Sequence, residues 1–120
     1  MKTILLLSIL AASCTKELKY SKEALLKKAQ EADPSVTVIL PRTMAEGVNC
    51  SEYSVGCLSA HIVRVKQLDL IAVEFSSEAE ALYAAKKFKG YYLRNWLLDD
   101  VRGEPILEAF VTEHLQAKKP

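Results

Sequence analysis

The sequence predicts an α+β domain, a small antiparallel sheet of about four strands packed with three helices. Three observations predict it. Two stretches place apolar residues at helical spacing behind a serine suited to cap them. β-Branched runs at residues 36–40, 58–66 and 70–75 are separated by turn-forming residues. The second helical stretch is followed by one more strand-like run, giving the order strand, strand, helix, strand.

The spacing predicts a first helix over residues 21–33. Ser21 is a good N-cap, and Tyr20 and Leu25 hold the two positions of a hydrophobic staple. Leu25, Leu26, Ala29 and Ala32 recur on one face, Lys22, Lys27, Lys28 and Glu31 face out, and Asp33-Pro34 stops the helix. The strand at 36–40 ends at Pro41. Residues 42–56, broken by Gly47, Asn49, Gly56 and serines, read as a long loop that needs pinning. Strands 58–66 and 70–75 are joined across Gln67-Leu68-Asp69 as a hairpin. In the first, Leu58, Ala60 and Ile62 take one face and Val63 and Val65 the other, which implies two covered faces or a bulge. In the second, Ile71, Val73 and Phe75 mark the inner face.

The second helix, residues 78–89, opens on Ser77 and Glu80, a capping-box pair, and buries Ala81, Leu82, Ala84, Ala85 and Phe88. Lys86, Lys87 and Lys89 suit the negative end of its dipole, and Gly90 is expected as the left-handed stop. Residues 91–93, a turn at Arg94-Asn95, and a strand at 96–101 form one bent strand region. Pro105 suits the first turn of a last helix, 105–115, with Ile106, Leu107, Phe110, Val111 and Leu115 on one side. Residues 117–120 read as a polar tail. There is no internal repeat or linker, so residues 21–116 are expected to form a single domain.

Residues 58–101, with Ile71-Ala72-Val73-Glu74-Phe75 ahead of the second helix and a final strand behind it, resemble the C-terminal half of a ferredoxin-like, RNA-recognition-motif fold. The resemblance implies a ferredoxin-like sandwich whose first crossover helix would come from residues 42–56. It does not carry RNA binding with it. The octet that bears base-stacking aromatics in that family is here Leu68-Asp69-Leu70-Ile71-Ala72-Val73-Glu74-Phe75, with leucine and aspartate at the basic and glycine positions and aliphatic residues at the stacking ones.

The first fourteen residues set the expected compartment. Lys2 supplies a positive n-region, residues 4–10 are apolar apart from Ser8, and Ala11, Ala12 and Ser13 are small. This is the layout of a secretory signal peptide over residues 1–13, and the apolar run is too short for a spanning helix, which needs about 20 residues. Leu10-Ala11-Ala12-Ser13-Cys14 resembles the lipobox of bacterial lipoproteins, with Ala11 where that family usually has leucine. The resemblance implies cleavage before Cys14 and acylation of it, with residues 14–20 as lipidated cysteine and tether. That would place the protein in the cell envelope outside the cytoplasm, in the periplasm or at the outer membrane, with the membrane as a partner through Cys14. Cleavage at the alanines by an ordinary signal peptidase would instead give a soluble, secreted protein.

Loss of residues 1–13 leaves about 107 of the 120 residues, enough for one core, and takes the formal charge from +1 to 0 because Lys2 goes with the leader. A neutral chain has no electrostatic case for nucleic acid or for acidic substrates. Of the three cysteines, acylation of Cys14 would leave Cys50 and Cys57. Six intervening residues suit neither a CxxC redox motif nor zinc spacing, so in an oxidising compartment the pair is expected as a structural disulfide.

Among candidate functional residues, Tyr91, Tyr92, Arg94, Asn95 and Trp96 form a polar-aromatic cluster of the composition found at binding surfaces, alongside Glu52 and Tyr53 in the cysteine loop. The competing reading puts Trp96 and one tyrosine in the core. Asp99, Asp100 and Glu104 could gather oxygen ligands for calcium but lack EF-hand spacing; capping of the last helix, or pairing with Arg94 or Arg102, is the better use. His61 has no carboxylate or nucleophile at local spacing to make it a general base, and His114 is weaker still. No catalytic residue, metal or cofactor is expected. The chain reads as a non-enzymatic, lipid-anchored envelope domain that binds a protein or other envelope component. The alternatives are a freely secreted effector or inhibitor, and a small metal-dependent envelope enzyme.

Overall fold

The computed structural model describes residues 18–43 and 47–120. The expected leader and lipobox-like stretch, with Cys14, lie outside the described residues. Among those described, three helical segments pack on one antiparallel sheet of five strands. The elements are α1 (Lys22–Ala32), β1 (Thr37–Ile39), β2 (Cys57–Val65), β3 (Leu68–Phe75), α2 (Glu78–Phe88), β4 (Tyr91–Leu93), β5 (Trp96–Asp99) and α3 (Pro105–Ala109), which runs on into a π-helical turn, Phe110–His114. The sheet order is β1-β2-β3-β5-β4, with every neighbouring pair antiparallel.

The α+β class, the antiparallel sheet and the packed helices are as the sequence predicts. The region 91–101 divides into two paired strands, so five strands replace about four. Because β5 lies between β3 and β4, these two run parallel, and β3, α2 and β4 form a split β-α-β unit consistent with a ferredoxin-like sandwich. Residues 42–56 provide no crossover helix among the described residues, only a 3₁₀ turn at Cys50–Glu52. β1 pairs directly with β2 instead.

Alternation along the strands sorts the apolar side chains into two clusters. Leu70, Ala72, Trp96, Leu98, Tyr91, Leu93 and Val65 face α1 and α3, whose Leu25, Ala29, Leu107, Phe110, Val111 and Leu115 cover them. Val73, Phe75 and Leu97 face the other way, under Ala81, Ala84 and Ala85 of α2 with Tyr53 and Phe88 at the margin. Both faces of β3 are therefore core, and Ile71, Val73 and Phe75 mark only one of them. The β2 bulge falls at Leu58, which is skipped in the register and stands 60 % exposed.

Several local expectations need correction. Ala32 and Ile106 are exposed, because α1 and α3 turn narrower stripes to the sheet than their apolar residues suggest. Ser77 Oγ accepts the Glu80 amide at 3.2 Å, but the Glu80 carboxylate accepts the Ser76 and Ser77 hydroxyls, so the Ser77–Glu80 box forms only on its serine side. Lys89, at φ 58°, is the left-handed residue that ends α2. Gly90 has a different reason: a Cβ there would lie 2.8 Å from both Leu97 Cδ1 and the Leu98 carbonyl oxygen, so the helix exit can approach β5 only without a side chain. Ala117 is buried, and Lys118 exchanges backbone hydrogen bonds of 2.8 and 2.9 Å with Tyr92. The expected tail thus covers the outer edge of β4, which would otherwise expose unpaired backbone groups.

Candidate functional site

The cluster at residues 91–96 is divided by strand alternation. Tyr91, Asn95 and Trp96 point inward and Tyr92 and Arg94 keep partial exposure, so it is not one continuous surface. Asn95 is 2 % exposed. Its Oδ1 accepts the Tyr20 amide at 2.8 Å, and its Nδ2 donates to the carbonyls of Tyr20 and Phe75, each at 3.3 Å. Trp96 Nε1 donates to the same Tyr20 carbonyl at 2.9 Å. Arg94 lies with its guanidinium 4.2 Å from the Tyr20 ring centre, a cation–π arrangement. Three residues after β4, Arg94, Asn95 and Trp96, therefore serve to hold the segment that leads into α1. Tyr91 donates to Glu108 Oε2 at 3.1 Å; burial first, and then this bond, push its hydroxyl above the usual tyrosine range.

The cysteine loop is built from the bottom up. Cys50 and Cys57 form a disulfide, with Cα atoms 5.5 Å apart. Asn49 caps the 3₁₀ turn within that ring: its Oδ1 accepts the Ser51 amide at 2.9 Å, and Glu52 Oε2 accepts the Asn49 amide. Glu52 is thereby a capping residue as well as an exposed one. Tyr53 packs its ring 5.1 Å from that of Phe88 at a steep angle and donates its hydroxyl to Asp99 Oδ2 at 2.8 Å. Burial, that bond and the charges of Asp99 and Asp100 all push the Tyr53 hydroxyl far above the ordinary tyrosine range.

This assigns Asp99. It neither caps α3 nor pairs with an arginine: it holds Tyr53 through Oδ2 and the Asp100 amide through Oδ1. Asp100, in the left-handed region at φ 62°, has its carboxyl raised by burial and by the neighbouring Asp99 charge. Glu104 precedes α3 without a side-chain cap bond, and no group of three metal-ligating residues occurs among the described residues.

Sequence reading missed a trio around His61. Ser59 stands two residues before it on β2, and Glu74 faces Ser59 across the β2–β3 pair. Ser59 Oγ donates to Glu74 Oε1 at 3.1 Å and lies 3.1 Å from His61 Nε2. A serine has one proton, so with that proton on the carboxylate, His61 is the donor to Ser59. A base that activates a nucleophile needs the reverse order. Burial first, and then the Lys22 charge, lower the His61 pKa and so disfavour the charged ring, against the opposing charge of Glu74. The period-two spacing of Ser59 and His61 was visible; the pairing with Glu74 was not. The neighbouring gap between α1 and the sheet, lined by Leu25, Val63, Trp96 and other apolar groups, holds only about 30 Å³, against the 300 Å³ or more of a typical ligand pocket.

The larger concavity lies on the opposite face. Tyr53, Ser54 and Val55 of the cysteine loop and Ala79, Glu80, Tyr83 and Lys87 of α2 line an open groove of about 580 Å³. Val55 is 86 % and Tyr83 60 % exposed. Gly56 fixes the loop against α2: its φ is 94°, a Cβ there would overlap the Glu80 carboxylate, and its carbonyl accepts the Ser76 amide at 2.9 Å. No family model, no curated protein and no solved structure matches this chain.

Proposed function

We propose that the chain is a non-enzymatic domain of the bacterial cell envelope, anchored by lipid on Cys14, that binds another envelope protein through the groove between the cysteine loop and α2. The carrying observation is the pair of large exposed side chains, Val55 and Tyr83, on either side of that groove. The loop that presents Val55 is covalently closed and fixed by Tyr53 on Asp99, so it meets a partner with little ordering cost. The sequence of residues 1–14 supports the anchor, and the small size of the gap and the hydrogen-bond order at His61 support a non-catalytic role. Tyr92 and Arg94 do not line this groove; they line a separate depression with Leu18 and Lys118.

A photo-crosslinking side chain at position 83 in intact envelopes tests the reading. A discrete adduct that disappears with Val55→Asp, at unchanged melting temperature, is expected; no adduct sinks it. Intact mass of the mature protein, with and without reductant, checks acylation and the disulfide together. Cys14→Ser separates the anchored form, which loses processing and membrane association, from a secreted effector, which keeps its release.

A further inference from the structure

We propose that the end of the domain where the chain arrives at α1 lies against the anionic headgroups of the bilayer that holds Cys14. The inference rests on the anchored reading above and adds which face meets the membrane.

The first support is reach. Tyr20 is fixed at both its amide and its carbonyl to Asn95 and Trp96, so the approach to α1 cannot swing free of the sheet. Leu18 is the first described residue, four positions after Cys14. At no more than about 3.6 Å per residue, those four positions span about 14 Å at most. A lipid on Cys14 therefore holds this end of the domain within a short distance of the headgroups.

The second support is charge and apolarity at that same end. Leu18, Arg94 and Lys118 line one depression of about 210 Å³, with Glu78 as its acidic member. Lys19 adjoins Leu18, and Lys119 follows Lys118, whose backbone is fixed to the edge of β4. Among the described residues, Arg94 and Lys118 thus share this depression with the Glu78 carboxylate, and Lys19 and Lys119 adjoin its lining in sequence. Leu18 is 61 % exposed, an apolar side chain placed to enter the interface. The β2–β3 turn at Lys66 and Gln67 stands at the far end of the strands that finish beside Tyr20, about 23 Å away along β3.

The test uses the full chain in vesicles, with an environment-sensitive fluorophore on a cysteine at position 18 or, as the control, at position 67. Vesicles are phosphatidylcholine alone, or phosphatidylcholine with phosphatidylglycerol two to one. In anionic vesicles, position 18 is expected to be at least about fivefold less accessible than position 67 to an aqueous quencher. Changing Lys19, Lys118 and Lys119 to glutamine should restore parity, each cation being worth roughly a factor of five. Equal accessibility of the two positions, or shielding indifferent to these lysines, overturns the proposal. Intact mass measured on the same sample separates the two readings. If no acyl chain is found the anchor fails, and the comparison of positions 18 and 67 in anionic vesicles still decides the surface.

Discussion

Replacing Asn95 by alanine tests whether the segment before α1 is held by one buried amide. The change removes three hydrogen bonds: Tyr20 N–H to Oδ1 at 2.8 Å, and Nδ2 to the Tyr20 and Phe75 carbonyls at 3.3 Å. The Tyr20 carbonyl keeps Trp96 Nε1 at 2.9 Å. The Tyr20 amide and the Phe75 carbonyl lose the Asn95 side chain with nothing of its kind in its place. At about 1–3 kcal/mol for each buried group left unmatched, the expected loss is about 3–4 kcal/mol. For a domain this size that lowers Tm by roughly 12–30 °C. Urea and thermal unfolding followed by circular dichroism and by Trp96 fluorescence measure it. A loss under about 1 kcal/mol would refute the argument, because it would mean that water or a shifted backbone replaces the amide. Asn95→Asp gives a second check with a sign. A carboxylate here faces two carbonyls, so its folded pKa is raised above about 3.9 and the folded state holds the proton more tightly. Its stability should therefore be greatest at low pH and fall as pH rises through the folded pKa, a dependence alanine does not share.

Two further predictions concern packing and alkaline pH. Gly90→Ala pushes a methyl to 2.8 Å from Leu97 Cδ1 and the Leu98 carbonyl oxygen, and should cost about 1–3 kcal/mol by chemical unfolding despite the higher helix propensity of alanine. Tyr53 and Tyr91 both have hydroxyls raised by burial first and by a carboxylate partner second. Their contribution is full below the unfolded tyrosine pKa of about 10 and is lost as pH rises above it. Stability should then drop more steeply above about pH 10 in the parent than in Tyr53→Phe, as urea melts at stepped pH would show.

What could be read from the sequence was whatever is decided locally. Ser21 accepts the Ala24 amide at 3.1 Å, Tyr20 and Leu25 meet in one cluster, and Cys50 joins Cys57, because each depends on residues within a few positions. What escaped is set by pairing between distant segments. Gly90 looked like a helix stop, yet its lack of a side chain answers to Leu97 and Leu98. Asp99 looked like a ligand or a cap, and its partner Tyr53 lies 46 residues away. The polar-aromatic run 91–96 looked like one surface, but a tight turn on a strand pair sends alternate side chains to opposite faces. Asn95 is buried for the sake of Tyr20, 75 positions earlier. The exposed pair Val55 and Tyr83 carried no motif at all, since an apolar residue facing solvent is visible only once its neighbours are placed.

The disulfide and the Tyr53–Asp99 bond restrain the same loop, and a double-mutant cycle can tell whether they act together. The covalent ring spans a separation of 7 residues, which on the chain-entropy argument is worth about 2.5 kcal/mol. The Tyr53 hydroxyl, given to a half-buried carboxylate, is worth about 1.5–3 kcal/mol when the loop already holds the ring against Phe88. Without the disulfide, residues 50–57 must be ordered anew each time Tyr53 docks, and the bond has to meet that entropy itself. Tyr53→Phe should therefore cost less in a Cys50→Ser/Cys57→Ser background than in the parent, with a coupling of about 1 kcal/mol. Additivity within about 0.3 kcal/mol would mean that the aromatic packing places Tyr53 without help from the covalent ring. The loop's rigidity, and with it the presentation of Val55 beside Tyr83, would then persist under reducing conditions.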